Sequence, residues 1–222
     1  MTEYIKDLAQ TKLFSGIGSE EITRLLDCIH ARLAHYSKGE TIIEESSRVY
    51  DFGVMLSGHG RSIKWDASDK VIIITLLQRG SELGVLLAAN PEHESPVSVQ
   101  AQDDATVLHI PYDCLVARCK KACPSHETLL KNYIGIVAEK GLVLHERISC
   151  LLKPTLREKI MTYLLRVSRE QRSRTFSIPL NRNAMSEYLN IERSALSREL
   201  SYMKRDGLIE YHRNSFKLFN ID

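Results

Sequence analysis

Apolar positions change period three times along the chain. Early on, Ile22, Leu25, Leu26, Ile29 and Leu33 recur at spacings of three and four behind Ser19-Glu20-Glu21. Such a stripe predicts an amphipathic helix within a helical stretch reaching about residue 35. From Lys38 to Pro111 the period shortens. Runs rich in β-branched residues (Thr41–Ile43, Val54–Leu56, Val71–Thr75, Val97–Val99, Ala105–Ile110) are separated by turn signals at Lys38-Gly39, Ser57-Gly58, Asp66–Asp69, Arg79-Gly80 and Asn90-Pro91. That alternation predicts an antiparallel sandwich or barrel. After Pro124 the helical period returns: Leu130, Ile134, Val137, Leu144, Ile148 and Leu151 form a heptad seam that skips one position, at Gly141. The seam predicts a coiled-coil contact, and Leu129, Tyr133, Ile136 and Val143 supply a second apolar face for packing on the barrel. Lys153-Pro154 interrupts this helix, and Thr155-Leu-Arg-Glu158 has the spacing of a capping box that starts another.

The last third carries the chemistry. Beyond an extended piece, Thr175 to Leu180, two short helices fit. The first runs from an Asn181 cap to Leu189 with Ala184, Met185 and Leu189 inward. The second runs from Arg193 to Asp206 with Leu196, Leu200 and Met203 inward, stopped by Gly207. The tight turn at Asn190-Ile191 between them makes a helix-turn-helix. Leu208–Tyr211 and Ser215–Phe219, joined by His212-Arg213-Asn214, predict a two-stranded wing. With its apolar residues inward, the second helix displays Arg193, Ser194, Ser197, Arg198 and Ser201. Long donors that chelate guanine O6 and N7, among small hydroxyl residues that let the backbone approach, are what a major-groove helix needs. Arg182, Lys204 and Arg205 are the candidate phosphate contacts. A helical hairpin with a solvated basic face is the plainer alternative.

Composition and charge sharpen this. The 222 residues, 43% hydrophobic and 26% charged, are globular in composition and sufficient for two domains. The longest apolar runs, Val71–Leu77 and Leu83–Ala89, are far short of a membrane span. The first residues are acidic and lack the pattern of an export signal, so the expected location is cytoplasmic. Residues 1–154 hold 17 basic and 20 acidic side chains (net −3), residues 155–222 hold 13 and 8 (net +5). A basic module on a mildly acidic body implies a polyanionic partner. Five cysteines, an odd count, argue for free thiols or ligands. Cys114-x4-Cys119-x3-Cys123-x2-His126 joins thiols and imidazole of the kind that hold zinc or iron-sulfur centres, with Lys120-Lys121 placed to lower the thiol pKa. The spacing matches no standard knuckle. Small buried residues are therefore expected there and no metal, with Cys119, Cys123 and His126 as the only candidate ligands. The eight histidines form no H-x-H or H-E-x-x-H pattern, and no nucleophile elbow or phosphate-binding fingerprint occurs, which excludes the common enzyme classes. The remaining rival to a DNA-binding regulator is a ligand-binding regulatory module acting through protein–protein contacts.

The order of these parts, and several residues, resemble the cyclic-AMP receptor protein / FNR (Crp/Fnr) family of bacterial transcription regulators. The resemblance lies in Leu13-Phe-Ser-Gly-Ile, Ser19-Glu-Glu-Ile, Tyr36-Ser-Lys-Gly-Glu40, Leu56-Ser-Gly58, Arg79-Gly-Ser-Glu-Leu-Gly84, Glu192-Arg-Ser-Ala-Leu-Ser-Arg-Glu-Leu200 and Asp206-Gly-Leu-Ile209. It implies an α+β fold in three parts. These are an N-terminal double-stranded β-helix (jelly-roll, cyclic-nucleotide-binding-like) barrel over 1–123, a dimerisation helix and hinge over 124–153, and a winged helix-turn-helix over 154–222. It also implies a homodimer on double-stranded DNA, controlled by a small-molecule effector or a redox signal, with RNA polymerase as a further partner and no membrane. Arg193 and Arg198 match recognition-helix positions that contact bases in cyclic-AMP-responsive members, and Ser197-Arg198 matches the FNR-like pair. Ser194 departs: those members carry a glutamate there that accepts from cytosine N4. The effector pocket departs too. After the Glu82-Leu83 turn, Ser95-Pro96 stands where cyclic-nucleotide-binding members have an Arg-Ser pair that holds the phosphate, and His93 is a poor substitute for that guanidinium. On the long helix, Leu144 and His145 stand where hydroxyls would meet the base, and Tyr133 is a further candidate for facing the effector. Cyclic AMP is thus not the expected effector. The absence of cysteine from residues 1–27 argues against an FNR-like cluster, and no cofactor is expected.

Overall fold

Helix α1 (Ile5–Leu8) and helix α2 (Ser19–Cys28) precede the sheets in a computed structural model that describes residues 2–65, 71–90, 92, 94–117 and 123–219. α2 ends sooner than its apolar stripe implies. His30 adopts a left-handed conformation (φ 52°), and the Ala31 N–H returns to the Leu26 carbonyl at 3.0 Å, closing the last turn. Leu33 therefore lies on a strand, paired with Leu108, and not on the helix. No glycine, asparagine or proline advertises this stop in the sequence.

The strands are β1 (Arg32–Tyr36), β2 (Thr41–Ile43), β3 (Asp51–Ser57), β4 (Gly60–Trp65), β5 (Val71–Leu77), β6 (Glu82–Leu83), β7 (Ser98–Ala101) and β8 (Ala105–Pro111), with short helices α3 (Val85–Ala88) and α4 (Tyr112–Val116). They form two antiparallel four-stranded sheets, ordered β1-β8-β3-β6 and β2-β7-β4-β5. Ile43, Leu77, Val99 and Ala101 of the second sheet meet Met55, Leu83, Ala105 and Val107 of the first in one buried cluster, the interior of the roll. The other face of the first sheet, through Phe52, Val54, Leu108 and Ile110, packs on α1, α2 and the start of the long helix α5 (Pro124–Leu151). Gly58 has to be glycine in the β3–β4 turn: its φ is +76°, and a Cβ there would stand 2.5 Å from the Asp104 carbonyl oxygen.

The chain divides into two compact units, Met1–Glu139 and Lys140–Asp222, and α5 runs through the division. In its first half Leu129, Tyr133 and Ile136 are buried as expected, but Val143, farther along, is 42% exposed and joins none of the buried clusters among the described residues. The seam residues Ile134 (58% exposed), Leu144 and Ile148 (53%) lie open on the single chain, while Leu130, Val137 and Leu151 are half-buried. No described helix is long and apolar enough to cross a membrane.

The second unit continues with α6 (Leu156–Glu170), β9 (Thr175–Ser177), α7 (Arg182–Tyr188), α8 (Arg193–Arg205), β10 (Ile209–His212) and β11 (Ser215–Leu218). α6 starts with the capping box: the Thr155 hydroxyl accepts from the Glu158 N–H, and the Glu158 carboxylate accepts from the Thr155 N–H. The wing has a third strand beyond the two predicted, because β9 pairs with β11 through Phe176 and Phe216.

Candidate nucleic-acid interface

Helix α7 begins where the Asn181 side chain accepts from the Ala184 N–H (2.9 Å). Asn190, at φ 50°, makes the turn, and the Ile191 N–H donates to the Ser186 carbonyl (2.9 Å). Met185, Leu189 and Ile191 on one side and Leu196, Leu200 and Met203 on the other join one buried core with α6 and the wing. That core decides which face of α8 is free. Arg193, Ser194, Ser197, Arg198 and Ser201 are all exposed. Arg157 on α6 fixes the helix axially, its Nε 2.6 Å from Glu199 and its Nη1 2.8 Å from Asp206 at the far end of α8. The hydrogen bonds to Glu199 and Asp206 raise the Arg157 pKa.

All three candidate phosphate contacts are partly committed elsewhere. The Arg182 guanidinium is half-buried, 5.3 Å from the Tyr211 ring centroid and 5.9 Å from that of Phe216, so it cements α7 to the wing. Burial lowers its pKa. Lys204 lies 3.5 Å from Glu210 and 5.8 Å from the Tyr211 ring. Arg205 sits over Tyr202, at 5.1 Å.

Several residues escaped the sequence reading. Glu192 caps α8, its carboxylate accepting from the Ser194 and Ala195 N–H groups, both at 2.9 Å. Glutamate is not a favoured N-cap residue, so only geometry reveals the role. At the other edge Arg147 on α5 donates from Nε to the Tyr188 carbonyl (3.2 Å) and lies 5.1 Å from the Tyr188 ring. Arg166 pairs with Glu146 (2.9 Å) and stacks 5.3 Å from the Tyr163 ring, whose phenol is pushed up to about 12 by burial. This stack ties the last turns of α5 to the end of α7.

Known proteins share this arrangement. A profile of the cyclic nucleotide-binding domain matches residues 33–122, and one of the Crp-like helix-turn-helix domain matches residues 158–222. The chain belongs to the Crp/Fnr family of transcription regulators. Transcriptional activator protein FnrA of Stutzerimonas stutzeri is 26% identical over 191 residues, 83% of this chain and 75% of that protein. FixK2 of Bradyrhizobium japonicum has the same fold (TM-score 0.55, 20% identity, covering 86% of this chain and 93% of that one). So does the c-di-GMP responsive regulator CLP of Xanthomonas campestris (TM-score 0.61, 15% identity, covering 92% and 100%).

The effector-side candidates of this Crp/Fnr chain are scattered. Glu82 and Leu83 pair with Val54 and Gly53 on β3, and Leu83 faces the roll interior. Ser95 is buried, and its hydroxyl donates to the Val97 carbonyl at 2.7 Å. The Tyr133 hydroxyl donates to the Val85 carbonyl (2.6 Å) with its ring against Phe52 and Tyr112, so it acts as a packing residue; burial raises its pKa. Leu144 and His145 are exposed and belong to the second unit. His93 and Cys119 lie outside the described residues. Of the remaining metal candidates, Cys123 is half-buried, and His126 is buried with Nε2 donating to the Leu115 carbonyl at 2.7 Å. Among the described residues no group of three potential ligands converges.

Proposed function

We propose that the chain acts as a homodimer which reads a two-fold symmetric DNA site and is controlled by an effector bound in the β-roll. In this reading the roll occupies 1–123, the dimerising helix and hinge 124–153 and the DNA-binding domain 154–222, all working in the cytoplasm. The reading rests on one observation: α8 carries an exposed row, Arg193, Ser197 and Arg198, on the side opposite the core that fixes it. Arg193 and Arg198 contribute guanine contacts, Ser194 and Ser197 allow close approach, and Arg182 and Lys204 meet phosphates. The apolar seam of α5 pairs with that of a second copy, which sets two recognition helices about one DNA turn, ~34 Å, apart. An effector that favours one arrangement of the paired helices shifts the population able to bind DNA.

The effector is not cyclic AMP. The hydroxyl at Ser95 is already spent on the backbone, and no guanidinium stands at the Ser95-Pro96 position to form the charge-assisted fork a buried phosphate needs. Micromolar binding in a cyclic-AMP titration would overturn that.

Fluorescence anisotropy of the full chain on labelled duplex DNA over a salt series tests the main claim. Affinity is expected to fall linearly in log–log form with salt. Arg198→Ala is expected to cost about 1–3 kcal/mol at the preferred sequence with little change elsewhere. Salt-independent retention, or an unaffected Arg198→Ala variant, would show that α8 does not read DNA.

A further inference from the structure

Ser194 stands on the first turn of α8, exposed, and its hydroxyl hydrogen is already used: Oγ donates to the carboxylate of Glu192. That carboxylate is held in turn. It accepts from the Ser194 N–H at 2.9 Å and from the Ala195 N–H at 2.9 Å, so it cannot swing away without uncapping the helix. The Ser194 hydroxyl, the Ser194 and Ala195 N–H groups and, last, the Arg198 charge lower its pKa, so it is ionised at neutral pH.

A serine in a DNA groove ordinarily reads either kind of partner, because its hydroxyl rotates to donate or accept. Here rotation is blocked by a charged acceptor on the same turn, and the oxygen has only lone pairs left to offer. In the major groove, cytosine N4 and adenine N6 present amino donors, whereas guanine O6 and thymine O4 present carbonyl acceptors. A lone pair with a carboxylate behind it attracts the first kind and repels the second.

We propose that Glu192 is a positioning residue that fixes the polarity of Ser194, so that Ser194 selects an amino-bearing base, cytosine or adenine, and rejects guanine and thymine. This rests on α8 lying in the major groove. It divides the recognition face by polarity: Arg193 and Arg198 present donors to guanine, and the Glu192–Ser194 pair presents the acceptor beside them.

The experiment is enrichment of binding sites by the full chain from a randomised duplex library, with wild type, Ser194→Ala, Glu192→Gly and Glu192→Ser. Ser194→Ala leaves the cap in place, and the base position whose preference relaxes in this variant is the one Ser194 reads. One orientation of the base pair, with cytosine or adenine on the strand that faces Ser194, is expected there in wild type. Both Glu192 variants keep an acceptable N-cap residue. Each is expected to lose the preference against guanine and thymine by roughly five- to tenfold, while positions read by Arg193 and Arg198 keep theirs. A circular-dichroism melt of each variant verifies the fold. Because every base pair places one amino and one carbonyl group in the major groove, the proposal falls if exchanging the two bases between strands at that position costs nothing in wild type, if no position relaxes in Ser194→Ala, or if the preference survives both Glu192 variants. No enriched sequence with wild type would instead sink the DNA-binding reading, and this proposal with it.

Discussion

Ile148→Ala tests the open seam on α5. Full burial of an isoleucine side chain contributes about 1.5–3 kcal/mol. Ile148 is 53% exposed in the single chain, so pairing with a second copy has roughly half of that left to gain, about 0.8–1.6 kcal/mol per protomer. Two-fold symmetry counts it twice, so the variant should weaken the dimer by about 1.6–3.2 kcal/mol, or roughly 15- to 200-fold in Kd. Alanine is the best helix former, so α5 itself is not harmed. Sedimentation of labelled protein over a dilution series gives the Kd, and a thermal melt verifies the fold. An unchanged Kd with an intact fold would show that this part of the seam is not the dimer contact. Lys131→Ala, on an exposed stretch of α5 where Lys131 bonds only to Glu127 among the described partners, serves as the control that should leave the dimer alone.

Other consequences concern single residues. His109 is buried in the roll with Nε2 2.9 Å from the Tyr36 hydroxyl; burial first and the Arg32 charge second lower its pKa below the ordinary 6.5. The unfolded chain therefore takes up a proton at higher pH than the folded one, and the roll loses stability as pH drops from about 6.5 through the depressed folded pKa. Melts at pH 7.5 and 5.5 should show a larger acid-induced drop for wild type than for His109→Gln, and equal drops would contradict the assignment. Cys150 is 1% exposed, and burial pushes its thiol up, so iodoacetamide at about pH 8 should alkylate exposed Cys28 and spare Cys150 until the protein is denatured; equal labelling by mass spectrometry would refute this. Arg182→Ala should lower the stability of the second unit by about 1 kcal/mol through lost stacking on Tyr211 and Phe216, besides weakening DNA binding. An unchanged melting temperature would leave Arg182 as a phosphate contact alone.

Much was legible without coordinates, and for a common reason. The helix α5, the Thr155 capping box, the Asn181 cap and the inward triad Leu196, Leu200 and Met203 depend on neighbours three or four residues away, which periodicity and capping chemistry report directly. β1, β4 and β6 were not read as strands. β1 continues the apolar spacing of α2, and β4 and β6 gain their identity only from partners, β5 and β7 for the one and β3 for the other. Within the site, the exposed row on α8 followed from the amino acids alone, because fixing three leucine and methionine positions inward leaves only one face outward.

Its working details did not follow. The Arg157 bridge spans 42 residues to Glu199, and Arg182 finds its rings on the wing. The Glu192 carboxylate reaches back onto its own helix in a manner glutamate seldom adopts. Residue identity along the chain settled which groups are present and which way the helices turn. Folding settled which of those groups are already occupied, since a side chain's remaining capacity to bond depends on partners that the backbone brings near only once the core has closed.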